Sequence, residues 1–386
     1  MNQFSVKTEI YFDTGALEYL TTLDNQKALM ITDPFMVQSG FADKVTAILK
    51  SSVEDYKVFS GIRPDPPVEV VAAGVKEYLD FGPDLIIALG GGSTIDAAKS
   101  IMLFARRLME AEGSPKSKPL FVAIPTTSGT GSEVTSYSVV TMGDGKIPLV
   151  AQEMVPDAAI MDSSFLRTVP PSITADTAID ALTHAWEAYV STEASDYTDA
   201  LAEKTSQLIF DYLLRAYQNG EDMEAREKLH NASCMAGIAF TNAALGINHS
   251  MAHTLGGIFH LPHGRANAVL LPYVIRFNAD LESSVATRAA EKYRKLAYQL
   301  HLPAATAREG VESLIAAITA LKRLTDTPLT LADAGIAEAE YEAMIPQLSR
   351  AALHDKCTTT NPRSPDELQL AELFREAYGP RAAIGV

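Results

Sequence analysis

Asp84–Ser100 reads DLIIALGGGSTIDAAKS. Leu85–Gly90 is an unbroken apolar run of strand length, glycines occupy Gly90, Gly91 and Gly92, and Thr94–Ser100 begins a helical stretch. A strand without polar alternation is buried on both faces, as in parallel sheets covered by helices. Consecutive glycines let the chain turn tightly and approach a ligand without Cβ collisions. The helix that follows aims its free N–H groups and positive dipole end at the same spot, which suits a pyrophosphate. A plain strand-to-helix turn capped by Ser93 accounts for GGGS equally well, and the run is not the G-x-G-x-x-G fingerprint.

The pattern repeats on both sides. Lys27–Asp33, Tyr56–Gly61 and Leu120–Thr126 are further short apolar strands, with helical stretches at Pro67–Phe81 and Ser93–Met109 between them. Buried strands separated by helices predict βαβ units and a mostly parallel sheet. Pro125–Glu133 (PTTSGTGSE) places hydroxyls and glycines after a second buried strand, so two such loops stand where open α/β sheets bind nucleotides. Asp33 ends an earlier strand. Its carboxylate could accept the ribose hydroxyls of NAD and repel the 2′-phosphate of NADP, or could simply cap a helix starting near Pro34. Val134–Met142 and Ile147–Ala151, joined through Gly143-Asp144-Gly145, read as a hairpin.

After Pro170-Pro171 the periodicity becomes helical, as in Ala175–Val190 and Asp199–Ala216. The chain is therefore predicted to divide into an α/β dinucleotide-binding domain, residues 1–170, and an all-helical metal and catalytic domain, residues 171–386.

Of eight histidines, four fall in one short segment: His249, His253, His260 and His263. His249 and His253 are four apart, hence on one helix face, and Asp180 and His184 repeat that spacing. Imidazole nitrogens with one carboxylate suit Fe(II), Zn(II) or Co(II) rather than Mg or Ca. A structural zinc site would normally contain cysteine, and neither Cys234 nor Cys357 has the spacing for one. A single histidine would be read as core or surface; the five together point to a metal site.

Bulk properties narrow the rest. The 386 residues are 47% apolar with a net charge of −16, which argues against nucleic acid as partner. No apolar run approaches the roughly 20 residues of a membrane span. The N-terminal MNQFS shows no signal peptide, and two cysteines make no disulfide framework, so the cytoplasm is expected.

DALTHA at Asp180–Ala185, HSMAHTLGG at His249–Gly257, HLPHG at His260–Gly264, GGGSTIDAAK at Gly90–Lys99 and PTTSGTGSEVT at Pro125–Thr135 resemble the iron-containing alcohol dehydrogenases. The likeness is strongest to the 1-propanol and ethanol dehydrogenases linked to bacterial microcompartments, and it runs over essentially the whole chain. It implies Asp180, His184, His249 and His263 as ligands of Fe(II), with zinc not excluded by the donor set. His253 would lie beside the nicotinamide as a proton relay, and His260 near the ligands without binding. NAD(H) contacts are implied at Asp33, Gly91, Gly92, Ser93, Thr126, Thr127, Thr130 and Lys146, and pocket-lining roles at Tyr137, Val139 and Phe240. In this reading the enzyme passes hydride between NAD(H) and a short-chain primary alcohol or aldehyde. The resemblance also implies a homodimer, with encapsulation beside microcompartment shell and cargo proteins. One departure stands out: many relatives carry Asn where Pro64-Asp65-Pro66 has Asp, an extra carboxylate that disfavours a nearby phosphate.

Two other readings fit the motifs less well. A metal- and NAD-dependent lyase or cyclase resembling the dehydroquinate synthases would need basic residues where Tyr137, Val139 and Phe240 stand. A non-catalytic nucleotide-binding scaffold with a structural metal would have no use for an open coordination position.

Overall fold

The computed structural model describes residues 3–24, 27–114, 116–143 and 145–379; Met1 and Asn2 of the N-terminal segment and Asp144 of the hairpin turn lie outside them. The described residues form two compact units: Phe4–Val169 together with Gly220–Thr241, and Pro170–Asn219 together with the chain from Asn242 to Gly379. Among the described residues no helix is long and apolar enough to cross a membrane.

In the first unit, strands β1 (Glu9–Phe12), β2 (Lys27–Thr32), β3 (Asp55–Phe59), β4 (Leu85–Gly90), β5 (Leu120–Pro125) and β8 (Ala158–Met161) form one sheet in the order β1-β8-β5-β4-β2-β3. Every pairing in it is parallel. Alternate residues of the central strands feed two cores. Leu29, Ile31, Ile86, Ala88, Phe121 and Ala123 pack on one side with α3 (Val68–Phe81) and α4 (Gly92–Ala111). Ala28, Met30, Leu85, Ile87, Leu89, Val122 and Ile124 pack on the other with α1 (Pro34–Gln38) and α2 (Phe41–Ser52). Burial on both faces is why these strands read as continuous apolar runs.

Strand order reverses between β2 and β4, because the chain steps outward to β3 and then returns to build β4, β5 and β8 on the other side. The carboxyl ends of strands at such a reversal are where doubly wound sheets bind ligands. Strands β6 (Tyr137–Met142) and β7 (Gly145–Val150) form a separate antiparallel hairpin. Gly143 takes a positive φ of 58° in its turn, as a two-residue connection requires. The hairpin starts later than expected, since Ser132–Val134 forms a 3₁₀ turn first. Strand β1, at one edge, and its neighbour β8 are only four residues long, too short to carry a period.

One helix crosses the single boundary expected near residue 170. Gly220–Thr241, which contains most of α7 (Met223–Ala243), packs with the first unit. The cause is close backbone approach: a Cβ on Gly237 would lie 2.9 Å from Gly131 Cα. No larger residue would allow this packing.

The second unit is helical. Besides α5 (Pro171–Val190) and α6 (Asp196–Gln218) it contains α8 (Ile247–Phe259), α9 (His263–Ala279), α10 (Arg288–Gln299), α11 (Ala307–Leu324), α12 (Glu338–His354) and α13 (Glu367–Tyr378). Helix α5 is buried without a break from Ala178 to Val190, so the polar groups of that stretch must find their partners within the protein.

Candidate active site

Helix α5 projects Asp180, His184 and Glu187 from one face, at positions i, i+4 and i+7. Helix α8 ends at Phe259; its C-cap, His260, is exposed and takes a left-handed φ of 52°, and Leu261-Pro262 turns the chain straight into α9. His263 is the first residue of α9. Gly264 permits the return: a Cβ there would sit 2.4 Å from Asp176 O. Arg265 Nη2 fastens the same two helices through Asp176 Oδ2 at 2.9 Å.

These helices bring Asp180, His184, His249 and His263 together, with one potential ligand atom from each lying within 4.8 Å of all the others. Asp180 Oδ1 is 3.8 Å from His249 Nε2 and 3.7 Å from His263 Nε2, and the rings of His184 and His249 stack at 4.4 Å. Three are buried and His263 is partly exposed, so the cluster opens on one side only. Burial pushes the Asp180 carboxyl above its ordinary range and holds His249 well below its own. A buried carboxylate among neutral imidazoles is a donor set that fits a divalent transition-metal ion, whose charge would offset the desolvation.

His253 stands apart from that set. Its Nδ1 lies 2.9 Å from Asp355 Oδ2, its ring stacks 5.6 Å from that of His263, and its side chain is 44% exposed. Asp355 also accepts from Ser250 Oγ at 3.2 Å and from Cys357 N at 2.8 Å. Burial raises the Asp355 carboxyl, but its hydrogen bond to His253 and the charge there outweigh this and hold it well below its usual range.

Glu187, Asn267 and Asp355 have no counterpart in the sequence reading. Glu187 pairs closely with His249 Nδ1, and burial pushes its carboxyl up to about 8. A cation at the neighbouring imidazoles would act the other way. Asn267 Nδ2 stands 3.1 Å from His249 Nε2 and 3.2 Å from His263 Nε2. Helical spacing signals two of the three, since Glu187 extends the face of Asp180 and His184, and Asn267 follows His263 by four. Asp355 lies 102 residues from His253 and carries no local signal.

The residues expected at the cofactor belong to the first unit. Gly91 is the N-cap of α4, with Gly92 and Ser93 in its first turn, and no side chain caps this terminus, so Ser93 is not the cap. A Cβ on Gly91 would meet Thr127 at 3.3 Å and one on Gly92 would meet Thr130 at 2.7 Å, so the two glycine and hydroxyl loops lie against each other. Thr126 N donates to Gly90 O across the same join. Asp33, at the end of β2, accepts from Met36 N at 3.1 Å as the cap of α1 and from Thr94 Oγ1 at 3.4 Å. Lys146 Nζ pairs with Asp65 Oδ1 at 2.6 Å, and Asp65 N donates to Ser93 Oγ at 3.4 Å. Tyr137 and Val139 share one face of β6, and Phe240, on α7, reaches within 3.5 Å of where a Gly131 Cβ would be. Beneath them the buried Lys99 donates to Ser132 O, Ser132 Oγ, Thr135 Oγ1 and Tyr137 O, tying α4 to this region.

Residues 7–163 match the family model for iron-containing alcohol dehydrogenase, and residues 174–378 match that for the C-terminal part of the Fe-containing alcohol dehydrogenase family. The chain belongs to the iron-containing alcohol dehydrogenase family. It is 44% identical over 382 residues to the 1-propanol dehydrogenase PduQ of Citrobacter freundii, covering 97% of this chain and 100% of that one. It is 41% identical over 390 residues to the NADPH-dependent butanol dehydrogenase of Clostridium saccharobutylicum, covering 98% of each. Some relatives are longer, and the chain spans about half of their length. A solved iron-containing alcohol dehydrogenase from Thermococcus thioreducens superposes with a TM-score of 0.88 at 32% identity, over 97% of this chain and 99% of that one. The protein is thus an alcohol dehydrogenase, an oxidoreductase acting on CH–OH groups. Membership in this family decides against the lyase and scaffold readings.

Proposed function

We propose that this alcohol dehydrogenase interconverts short-chain primary alcohols and aldehydes with NAD(H), using Asp180, His184, His249 and His263 to hold iron(II). The observation that carries the reading is the buried cluster of three imidazoles and one carboxylate, open toward His263. Iron held there supplies Lewis acidity to the alcohol or carbonyl oxygen.

The chain's own groups do the rest. A bound nicotinamide would supply the hydride acceptor for oxidation, and the hydroxyl proton must pass to a base. His253 takes that proton: Asp355 engages Nδ1, which leaves Nε2 as the acceptor. The N-terminus of α4, with Gly91, Gly92 and Ser93, and the hydroxyls of Thr126, Thr127 and Thr130 bind the pyrophosphate. Tyr137, Val139 and Phe240 give a largely apolar lining, in keeping with relatives named for propanol and butanol. Asp33 and the Asp65–Lys146 pair favour NADH, although one relative is named for NADPH. The reading extends to a homodimer in the cytoplasm enclosed in a microcompartment; light scattering and co-purification with shell proteins test those two points.

The decisive experiment follows NADH oxidation at 340 nm with propanal, using anaerobically purified, iron-loaded enzyme. Asp180→Ala and His263→Ala should lose both metal and turnover while still binding NADH, because the cofactor loops belong to the other unit. A metallated, active variant would overturn the ligand set. Turnover of propanal by neither cofactor would overturn the substrate class.

A further inference from the structure

Glu187 touches both ends of one problem. Its Oε1 accepts from Asn248 N at 2.7 Å and from His249 N at 3.4 Å, which are first-turn N–H groups of α8. Gly246, the N-cap of that helix, makes the room, since a Cβ there would sit 3.0 Å from Glu187 Oε1. The other carboxylate oxygen, Oε2, pairs with His249 Nδ1. The two nitrogens of this ring therefore face different neighbours. Nδ1 faces Glu187, while Nε2 faces Asp180 Oδ1 at 3.8 Å and lies inside the cluster.

We propose that Glu187 is the positioning residue of the metal centre, holding His249 in the tautomer protonated at Nδ1 so that the Nε2 lone pair is left for the metal. An imidazole with the proton on Nε2 cannot coordinate through that atom. A hydrogen-bond acceptor fixed at Nδ1 removes that state and also fixes the rotation of the ring about its bond to Cβ. Because Oε1 is already held by the start of α8, the carboxylate cannot swing away from the ring. Glu187 also lies on the helix that carries Asp180 and His184, so one side chain sets the register between the helices bearing three of the four ligands.

The inference rests on the ligand set proposed above, and Glu187→Gln separates the two. The amide has nearly the same shape but only one acceptor. If its oxygen stays on the backbone N–H groups, its NH₂ faces Nδ1 and drives the proton to Nε2. If it flips, a donor faces the donors of α8. Zinc(II) retention by wild type and Glu187→Gln is measured by competition with a graded chelator, with the fold followed by circular dichroism. The variant should stay folded and hold zinc roughly 10–100-fold more weakly, the usual effect of losing such a partner. Equal affinity in the two proteins would overturn the role of Glu187 and leave the ligand set standing; a wild type that binds no zinc would overturn both. The wild type gives a second readout that needs no variant. In zinc-loaded protein labelled with ¹⁵N-histidine, His249 should show a hydrogen-bonded, slowly exchanging proton on Nδ1, and a bare Nδ1 or a proton on Nε2 would sink the proposal.

Discussion

Asn267 Nδ2 donates to Asp180 Oδ1 over 2.7 Å, joining two residues 87 apart in the chain at the middle of the proposed ligand set. Asn267 is itself held, since Asn248 Nδ2 donates to its Oδ1 at 2.9 Å. The amide is fully buried, so its orientation is fixed by partners rather than by solvent.

Asn267→Ala should therefore leave Asp180 less well oriented and a buried acceptor short of a donor. Metal affinity should fall roughly 10–100-fold, and stability by about 1–3 kcal/mol. Chelator competition and thermal denaturation read the two effects. An unchanged affinity would mean that Asp180 is positioned by its own helix alone.

His253→Ala should retain iron and bind NADH yet turn over roughly 10²–10⁴-fold more slowly, the range for a lost acid–base group. The deficit should shrink toward high pH in the oxidation direction, where hydroxide accepts the proton. Asp355→Asn should give a smaller loss with the same pH trend, because it weakens the hold on Nδ1 without removing the ring. Metal content and pH profiles of kcat decide this: a metal-free His253→Ala would make His253 a ligand instead.

Asp33→Gly should narrow the preference for NADH over NADPH by removing a charge that repels a 2′-phosphate. Glycine at an N-cap costs only a few tenths of a kcal/mol relative to the usual cap residues, so the fold should survive the loss of the bond to Met36 N. Asp65→Asn should act in the same direction by releasing Lys146 from its ion pair. The ratio of kcat/KM for the two cofactors is the measurement, and a constant ratio in Asp33→Gly would reduce that residue to a helix cap.

His230 gives a prediction about pH. It is fully buried, its Nδ1 lies 3.0 Å from Ser128 Oγ, and burial pushes its imidazole down to about 4. The folded state thus favours the neutral ring, while the unfolded chain takes up a proton near 6.5. Its contribution is complete above pH 6.5 and is lost as pH falls toward 4, a cost on the order of 3 kcal/mol. Thermal denaturation of His230→Gln should show less acid destabilisation than wild type across that window. Parallel curves for the two proteins would mean that the buried ring is already charged, or that its neighbours relax to admit the charge.

The sequence by itself determined the parallel sheet and the helical remainder, because burial on both faces forces unbroken apolar strands and burial of one face forces helical spacing. It also determined which side chains can meet within one helix: Asp180 with His184, and His249 with His253. What it could not determine is which of two histidines on a shared face turns inward, since a spacing of four makes them equivalent. Tertiary packing broke that symmetry, with Glu187 holding His249 and Asp355 holding His253 across 62 and 102 residues of chain. It likewise drew α7 into the first unit, because only the meeting of Gly131 and Gly237 reveals how closely their backbones approach. Those partners are distant in sequence and act through contact, which periodicity along a single chain does not record.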